Sequence, residues 1–307
     1  MNRLGDMQAY VRVVETGSFA EAGRRLGLSK SVVTKRVNQL ESMLNVQLLR
    51  RSTRKLSITD AGITYYERCL RILSEVEDAD AQVSSMNLQP SGNLRISCST
   101  AISVAFLARD LCEFQQEYSG LSIELIHNDR AVNPIHESYD ICFQVLDVNA
   151  EMVSKQHITP LRVLLCASPQ YLEKHGTPQH PNELPQHRCA HNVYLEPKLE
   201  WCLTNEQSTV CVSIDPLIRT NNAWMMRDAA CNGNCIALLP TFFVETELTK
   251  GQLIPILTNY RPEEFQMTAF YPRTQYVPLK TKLFLDFAME RYSPVPPWEE
   301  RLARLSI

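Results

Sequence analysis

Glycine is scarce in this 307-residue chain, 10 residues against 17 prolines, and none of them forms a phosphate-cradling loop. A Gly-x-Ser-x-Gly elbow, an HExxH pair and a paired-carboxylate motif are also missing, so hydrolytic, metalloprotease and nucleotide-driven chemistry lack their groups and an enzyme is not expected. No apolar run reaches the roughly 18 to 20 residues that cross a bilayer. The opening MNRLGDMQAYVRVVETG is charged throughout, unlike a signal-peptide core, so a cytosolic location without a membrane partner is expected. Ten cysteines form no CxxC pair and keep no repeating spacing, which favours reduced, mostly buried thiols over a disulfide framework. Internal repeats and low-complexity tracts are absent as well.

What is present is an ordinary globular composition, 44% hydrophobic and 21% charged. The length exceeds the roughly 100 to 200 residues of one domain, so two or three folding units are expected. The net charge of −3 hides a polarity. Residues 1–60 hold 11 Lys+Arg against 5 Asp+Glu, a net of +6, whereas residues 61–307 hold 20 against 29, a net of −9. A basic head suits a polyanion, because cations that neutralise phosphates release condensed counterions.

Within the head, Met7, Tyr10, Val11 and Val14 recur at helical spacing and Gly17 supplies a stop. Ser18, with Glu21 three residues on, reads as a capping box opening a second helix that Gly27 ends. Ser29 caps a third, whose Val33, Val37, Leu40 and Leu44 make an inward stripe. With Val33 pointing inward, Ser31, Thr34, Lys35 and Asn38 cluster about 160° away at 100° per residue. Two helices about a tight turn, the second with small polar and basic residues outward, form a helix-turn-helix layout. In it these four reach base edges while Lys30 and Arg36 flank them toward phosphates. A solvated surface stripe would have the same pattern. The segment Leu48 to Thr59 then sets Arg50, Arg51, Arg54 and Lys55 about a Ser-Thr turn, a candidate β-wing able to push an Arg into the minor groove.

From Thr59 to Leu88 no proline occurs, predicting one long helix. Its Tyr66, Cys69, Leu73, Val76, Asp80 and Val83 step by three and four, a seam along which two copies are expected to pair, the alternative being a helix docked on its own domain. Asn87 to Asn93 is a Pro/Gly/Ser hinge. After it, strand-like runs alternate with helical stretches, which reads as a parallel α/β sheet. The tail, a Pro-rich linker followed by the amphipathic stretch from Trp298 to Leu305, fits docking on this chain's own body or on a partner subunit.

The stretches Ser18 to Leu26, Leu28 to Glu41, Leu49 to Leu56 and Thr59 to Gly62 resemble the winged helix-turn-helix of LysR-type transcriptional regulators. Gly92 to Ser97, Tyr139 to Ile141, Ala167 to Leu172, His187 to Cys189 and Gly233 to Pro240 are similar to that family's effector domain, so the likeness spans nearly the whole chain. It implies a fold of α/β class: a winged helix-turn-helix over residues 1–58, a dimerisation helix over 59–88, and an effector-binding domain over 89–307. That domain would consist of two Rossmann-like subdomains resembling periplasmic binding proteins, the first about 94–165 with 268–292, the second about 166–267. The resemblance implies double-stranded DNA as a partner, a homodimer or homotetramer, RNA polymerase contact in an activator, and no cofactor. It carries DNA contact to Lys30, Ser31, Thr34, Lys35 and, in the wing, Arg54. Ser18, Ser29, Arg36, Asn38 and Arg51 complete the expected DNA-binding set. Lys30 and Ser31 depart from the family's frequent Gln-Pro. The effector cleft is carried to Ser99 and Thr100 on one side and Thr220, Asn221 and Asn222 on the other. Hydroxyls between a strand and a helix start suit an anion, so a small carboxylate is the expected effector. Plain capping and turn roles would look alike in sequence.

Two further constellations remain. His187, Cys189 and His191 with Cys202 offer metal-ligating atoms, but alternate strand positions do not make a closed four-ligand site, and no metal is expected. Cys231 and Cys235, four apart beside Gly233, could make the regulator a thiol redox sensor. The alternative from another class is a ligand-binding α/β protein whose basic head associates with nucleic acid nonspecifically.

Overall fold

The computed structural model describes residues 2–51, 56–84, 90–195, 198–274 and 277–304, without the side chains of 51, 74 and 77–84. It divides into two units, Met1–Asn93 with His136–Ser138, and Leu94–Ile135 with Tyr139–Ile307. No helix among the described residues is long and apolar enough to cross a membrane.

In the first unit, α1 (Arg3–Thr16), α2 (Phe19–Leu26) and α3 (Lys30–Leu44) enclose a core of Met7, Tyr10, Val11, Ala22, Val33, Val37 and Leu40. Ser18 Oγ accepts from the Glu21 N–H at 3.3 Å and caps α2. The reciprocal half of the expected capping box does not form. Glu21 turns its carboxylate to Arg24 and Arg25, and the Ser18 N–H donates to Thr16 Oγ1 at 3.4 Å instead. Gly27, at φ 65°, ends α2 in the left-handed region, which frees the Leu28 N–H to donate to the Gly23 carbonyl at 2.9 Å and makes the turn tight. Strands β1 (Leu49–Arg51) and β2 (Leu56–Ile58) pair antiparallel as the base of the wing. The Glu41 carboxylate fixes that base to α3, accepting from the Leu48 and Leu49 N–H groups at 2.8 and 3.0 Å.

The long helix is α4 (Asp60–Ser84). Cys69 is wholly buried against the head, and Tyr66 and Leu73 pack on the same core. The first half of the seam is thus covered by the chain's own helices, as in the docked alternative, because a 25-residue helix beside a small three-helix core supplies part of that core. Asp80 and Val83 lie among the side chains outside the described set.

The second unit holds two lobes. Strand β3 (Gly92–Cys98) runs into α5 (Thr100–Ile102), a π-type turn (Ser103–Leu107) and α6 (Ala108–Glu117), followed by β4 (Leu121–His127), β5 (Ile141–Gln144) and β6 (Val153–Leu161). The chain then enters the second lobe with β7 (Val163–Ala167), α7 (Pro169–His175), β8 (Cys189–Asn192), β9 (Glu200–Thr204), β10 (Thr209–Ser213) and β11 (Pro216–Thr220). It continues through α8 (Ala223–Cys231), β12 (Ile236–Pro240), α9 (Thr241–Thr249), β13 (Ile254–Pro255) and β14 (Arg261–Pro262). Strand β15 (Phe265–Pro272) returns to the first lobe, and α10 (Leu279–Tyr292) and α11 (Pro297–Ala303) follow.

The first lobe's sheet has the order β4-β3-β5-β15-β6, the second's β11-β8-β12-β7-β13, and β10-β9-β14 make a separate small sheet. The expected parallel sheet is therefore corrected to mixed ones. Strands β3 and β5 pair parallel, as do β8 with β11 and β12, whereas β15 and β7 pair antiparallel with their neighbours. The antiparallel strands are those beside the two lobe crossings. They also put β7, from Val163, in the second lobe's sheet and β15, from Phe265, in the first's.

The expectation of reduced thiols throughout is corrected at one place. Cys202 and Cys211, facing partners on β9 and β10 with Cα atoms 4.0 Å apart, are joined in a disulfide. The remaining eight cysteines are free.

Candidate functional site

On α3, Lys30, Ser31, Thr34, Lys35 and Asn38 share one shallow groove with Gln39, Ser42 and Met43. The inward stripe of Val33, Val37 and Leu40 turns that face to solvent. Thr34 Oγ1 donates to the Lys30 carbonyl at 2.8 Å, and the Ser29 and Ser31 hydroxyls lie 2.9 Å apart, with Ser29 Oγ also capping the Val32 N–H. The last three groove residues continue the same face one turn on, Lys35 to Gln39 and Asn38 to Ser42. Helical spacing could have found them.

Two expected contacts are held elsewhere. Arg36 leaves this face, its Nη1 donating to the Gly5 carbonyl at 3.1 Å and tying α3 to α1. Ser18 is half-buried as the cap of α2. Arg51 ends β1 with its side chain outside the described set, and Arg54 lies outside the described residues.

In the second unit, a cleft of about 90 Å³ opens between the lobes' strand ends. Ser99, Thr100, Asn221 and Asn222 line it. Thr220 does not: its Oγ1 accepts from the Asn222 N–H at 3.0 Å and its carbonyl from the Val193 N–H at 3.1 Å. At the expected carboxylate seat Asp129 accepts from the Thr100 N–H at 2.9 Å and from the Thr100 hydroxyl at 3.3 Å. Ser99 Oγ caps the Ile102 N–H, and Asn222 Oδ1 caps Met225 at 3.2 Å. Most of the lining is carbon, from residues such as Leu161, Trp224, Leu239, Phe242 and Phe265. These were missed because they come from four separate stretches that only the tertiary fold joins.

The other constellations do not converge. His187 Nδ1 lies 3.2 Å from the Tyr171 hydroxyl, and burial holds its imidazole below the usual histidine range. Cys189 is buried with its thiol pushed up to about 12, and Cys202 is bonded to Cys211. Cys235 is buried and likewise pushed up to about 12 by desolvation, and the half-buried Cys231 is raised for the same reason. Neither is a ready thiolate.

A winged helix-turn-helix with an exposed polar face, a long helix and a two-lobed body with a cleft define the class of one-chain DNA-binding regulators. Residues 4–63 match the bacterial regulatory helix-turn-helix protein, lysR family, and residues 87–293 the LysR substrate binding domain. The chain belongs to the LysR family of transcriptional regulators, which are DNA-binding proteins and not enzymes. It is 31% identical to the transcriptional regulator CrgA of Neisseria meningitidis over 288 residues, 93% of this chain and 95% of that one. Identity to the transcriptional activator AaeR of Escherichia coli K12 is 31% over 287 residues, 93% of each chain. Among solved structures it is similar to full-length AphB, a virulence activator of Vibrio cholerae. That match has a TM-score of 0.60 and 28% identity, covering 94% of this chain and 98% of that one.

Proposed function

We propose that this regulator acts as a cytosolic homodimer or homotetramer. Two α3 helices, held apart by paired α4 helices, read two half-sites of an operator. Ser31, Thr34 and Asn38 take base edges, Lys30 and Lys35 take edges or phosphates, Ser29 supports them as the helix cap, and Arg51 and Arg54 of the wing reach the minor groove. The functional borders are 1–58 for the head, 59–88 for the dimerisation helix and 89–307 for the sensor. A small-molecule effector binds the cleft between the lobes, and it shifts the oligomer only by binding one arrangement better than another. A carboxylate effector would have to sit away from the Asp129 carboxylate. If the chain activates, as the names of AaeR and AphB state of those proteins, RNA polymerase is a further partner.

The observation that carries the reading is the one groove joining Lys30, Ser31, Thr34, Lys35 and Asn38 on an exposed helix face. Binding to the chain's own upstream DNA, compared with random duplex over a salt series, tests it. Specific binding that Thr34→Ala with Lys35→Ala removes is expected; equal affinity for both duplexes would leave only a nonspecific basic head. The redox alternative has its best footing at Cys202 and Cys211, the bonded pair, instead of Cys231 and Cys235.

A further inference from the structure

A seat for a carboxylate needs donors that no resident acceptor already holds. At the start of α5 the resident is Asp129, which takes both the Thr100 N–H and the Thr100 hydroxyl. On the facing wall the amide oxygens are occupied. Asn222 Oδ1 caps Met225, and Asn192 Oδ1 accepts from the Tyr194 and Leu195 N–H groups at 3.0 and 3.1 Å. Gln144 exchanges hydrogen bonds with the Val132 backbone at both ends of its amide. The guanidinium in the lining, Arg130, is exposed and donates to the Ala131 carbonyl at 3.3 Å. With Asp129 beside it, the lining carries no net formal charge. A carboxylate entering beside Asp129 would therefore meet a like charge and find both Thr100 donors taken. A carboxylate has about four lone-pair directions, and Thr100 takes two of Asp129's, which leaves acceptor capacity in the lining. The cleft opens to about 90 Å³, less than the about 150 Å³ of a cavity that holds benzene, so it encloses part of a single ring or a short chain.

We infer, on the reading of the cleft as the effector site, that it takes a single-ring or short-chain apolar molecule whose head group donates a hydrogen bond to Asp129, and that Asp129 discriminates against carboxylates. Trp224 and Phe242 supply flat apolar surface for the body of such a ligand, and an ammonium or hydroxyl supplies the donor.

Benzylamine, benzyl alcohol and benzoate share one ring and differ in the head, so titrating each into the full chain by calorimetry isolates the head group. The wild type is expected to bind the amine and the alcohol at least tenfold more tightly than benzoate. Asp129→Asn is expected to remove the amine's advantage and strengthen benzoate at least tenfold. Benzoate binding the wild type as tightly as the other two would overturn the inference and leave the cleft reading standing. That ranking decides the point even if the variant fails to fold. Binding of all three that survives Ala223→Trp, which fills the cleft, would overturn the cleft reading together with the inference.

Discussion

Cys235 and Cys112 carry the same functional group and are expected to react very differently. Burial raises the Cys235 thiol from an ordinary 9.0 to about 12, so at neutral pH it has essentially no thiolate, whereas Cys112 is exposed. Iodoacetamide on the native protein should label Cys112 first and Cys231 slowly. Cys69, Cys98, Cys142, Cys166, Cys189 and Cys235 should label only after denaturation, and Cys202 and Cys211 only after reduction, all read by peptide mass spectrometry. Fast native labelling of Cys235 would return the sensor role to it. The same shift has a sign in stability. A raised folded-state value means that the stabilising contribution of Cys235, and of Cys69 and Cys189 beside it in kind, is complete below pH 9.0 and lost as pH rises toward about 12.

Helix α11 settles the choice that the tail's amphipathic pattern left between a partner and the chain's own body. Trp298, 3% exposed, stacks on Phe106 at 4.5 Å and meets Phe242 and Tyr292 edge-on or tilted at 5.8 and 5.9 Å. Glu299 pairs with Arg162 at 3.1 Å and Arg301 with Glu245 at 2.5 Å. Phe106 belongs to the first lobe and Phe242 to α9 of the second, so one side chain clamps both. Trp298→Ala should cost about 3 to 5 kcal/mol in denaturant unfolding, the range for deleting a large buried ring. Trp298→Phe should cost clearly less, because the indole Nε1 has no hydrogen-bond partner to lose. Equal losses in the two variants would contradict that packing account. The contrast with α3 shows what a sequence can and cannot carry. The groove on α3 was legible because every member lies within one helix, where 100° per residue converts spacing into direction. The cleft was half legible. Ser99, Thr100, Asn221 and Asn222 stand at strand-to-helix junctions that local pattern reveals, but Asp129 is a β4–β5 loop residue, and its bond to Thr100 spans 29 positions. The Cys202–Cys211 pair likewise required the register of β9 on β10, and the lobe crossings that make both sheets mixed leave no periodicity at all.

The division of charge, +6 on residues 1–60 against −9 on residues 61–307, bears on how the protein associates with DNA. Attraction to the duplex arises in the head alone and is opposed by the body, so observed affinity should fall steeply and linearly on a log–log salt plot as phosphates are neutralised. Each phosphate contact contributes about 0.9 to that slope, which separates groove residues by role. Thr34 carries no charge, and its hydroxyl sits on the exposed face of α3. Thr34→Ala should therefore lower affinity for the operator over random duplex and leave the slope unchanged. Lys35→Ala should lower affinity for both duplexes and reduce the slope by about one if the ammonium sits on phosphate. If it reads a guanine edge instead, the loss should concentrate on the operator, at about 1 to 3 kcal/mol. Fluorescence anisotropy with both duplexes between low and moderate salt distinguishes these outcomes. An unchanged slope and unchanged preference in both variants would mean that the α3 groove does not meet DNA.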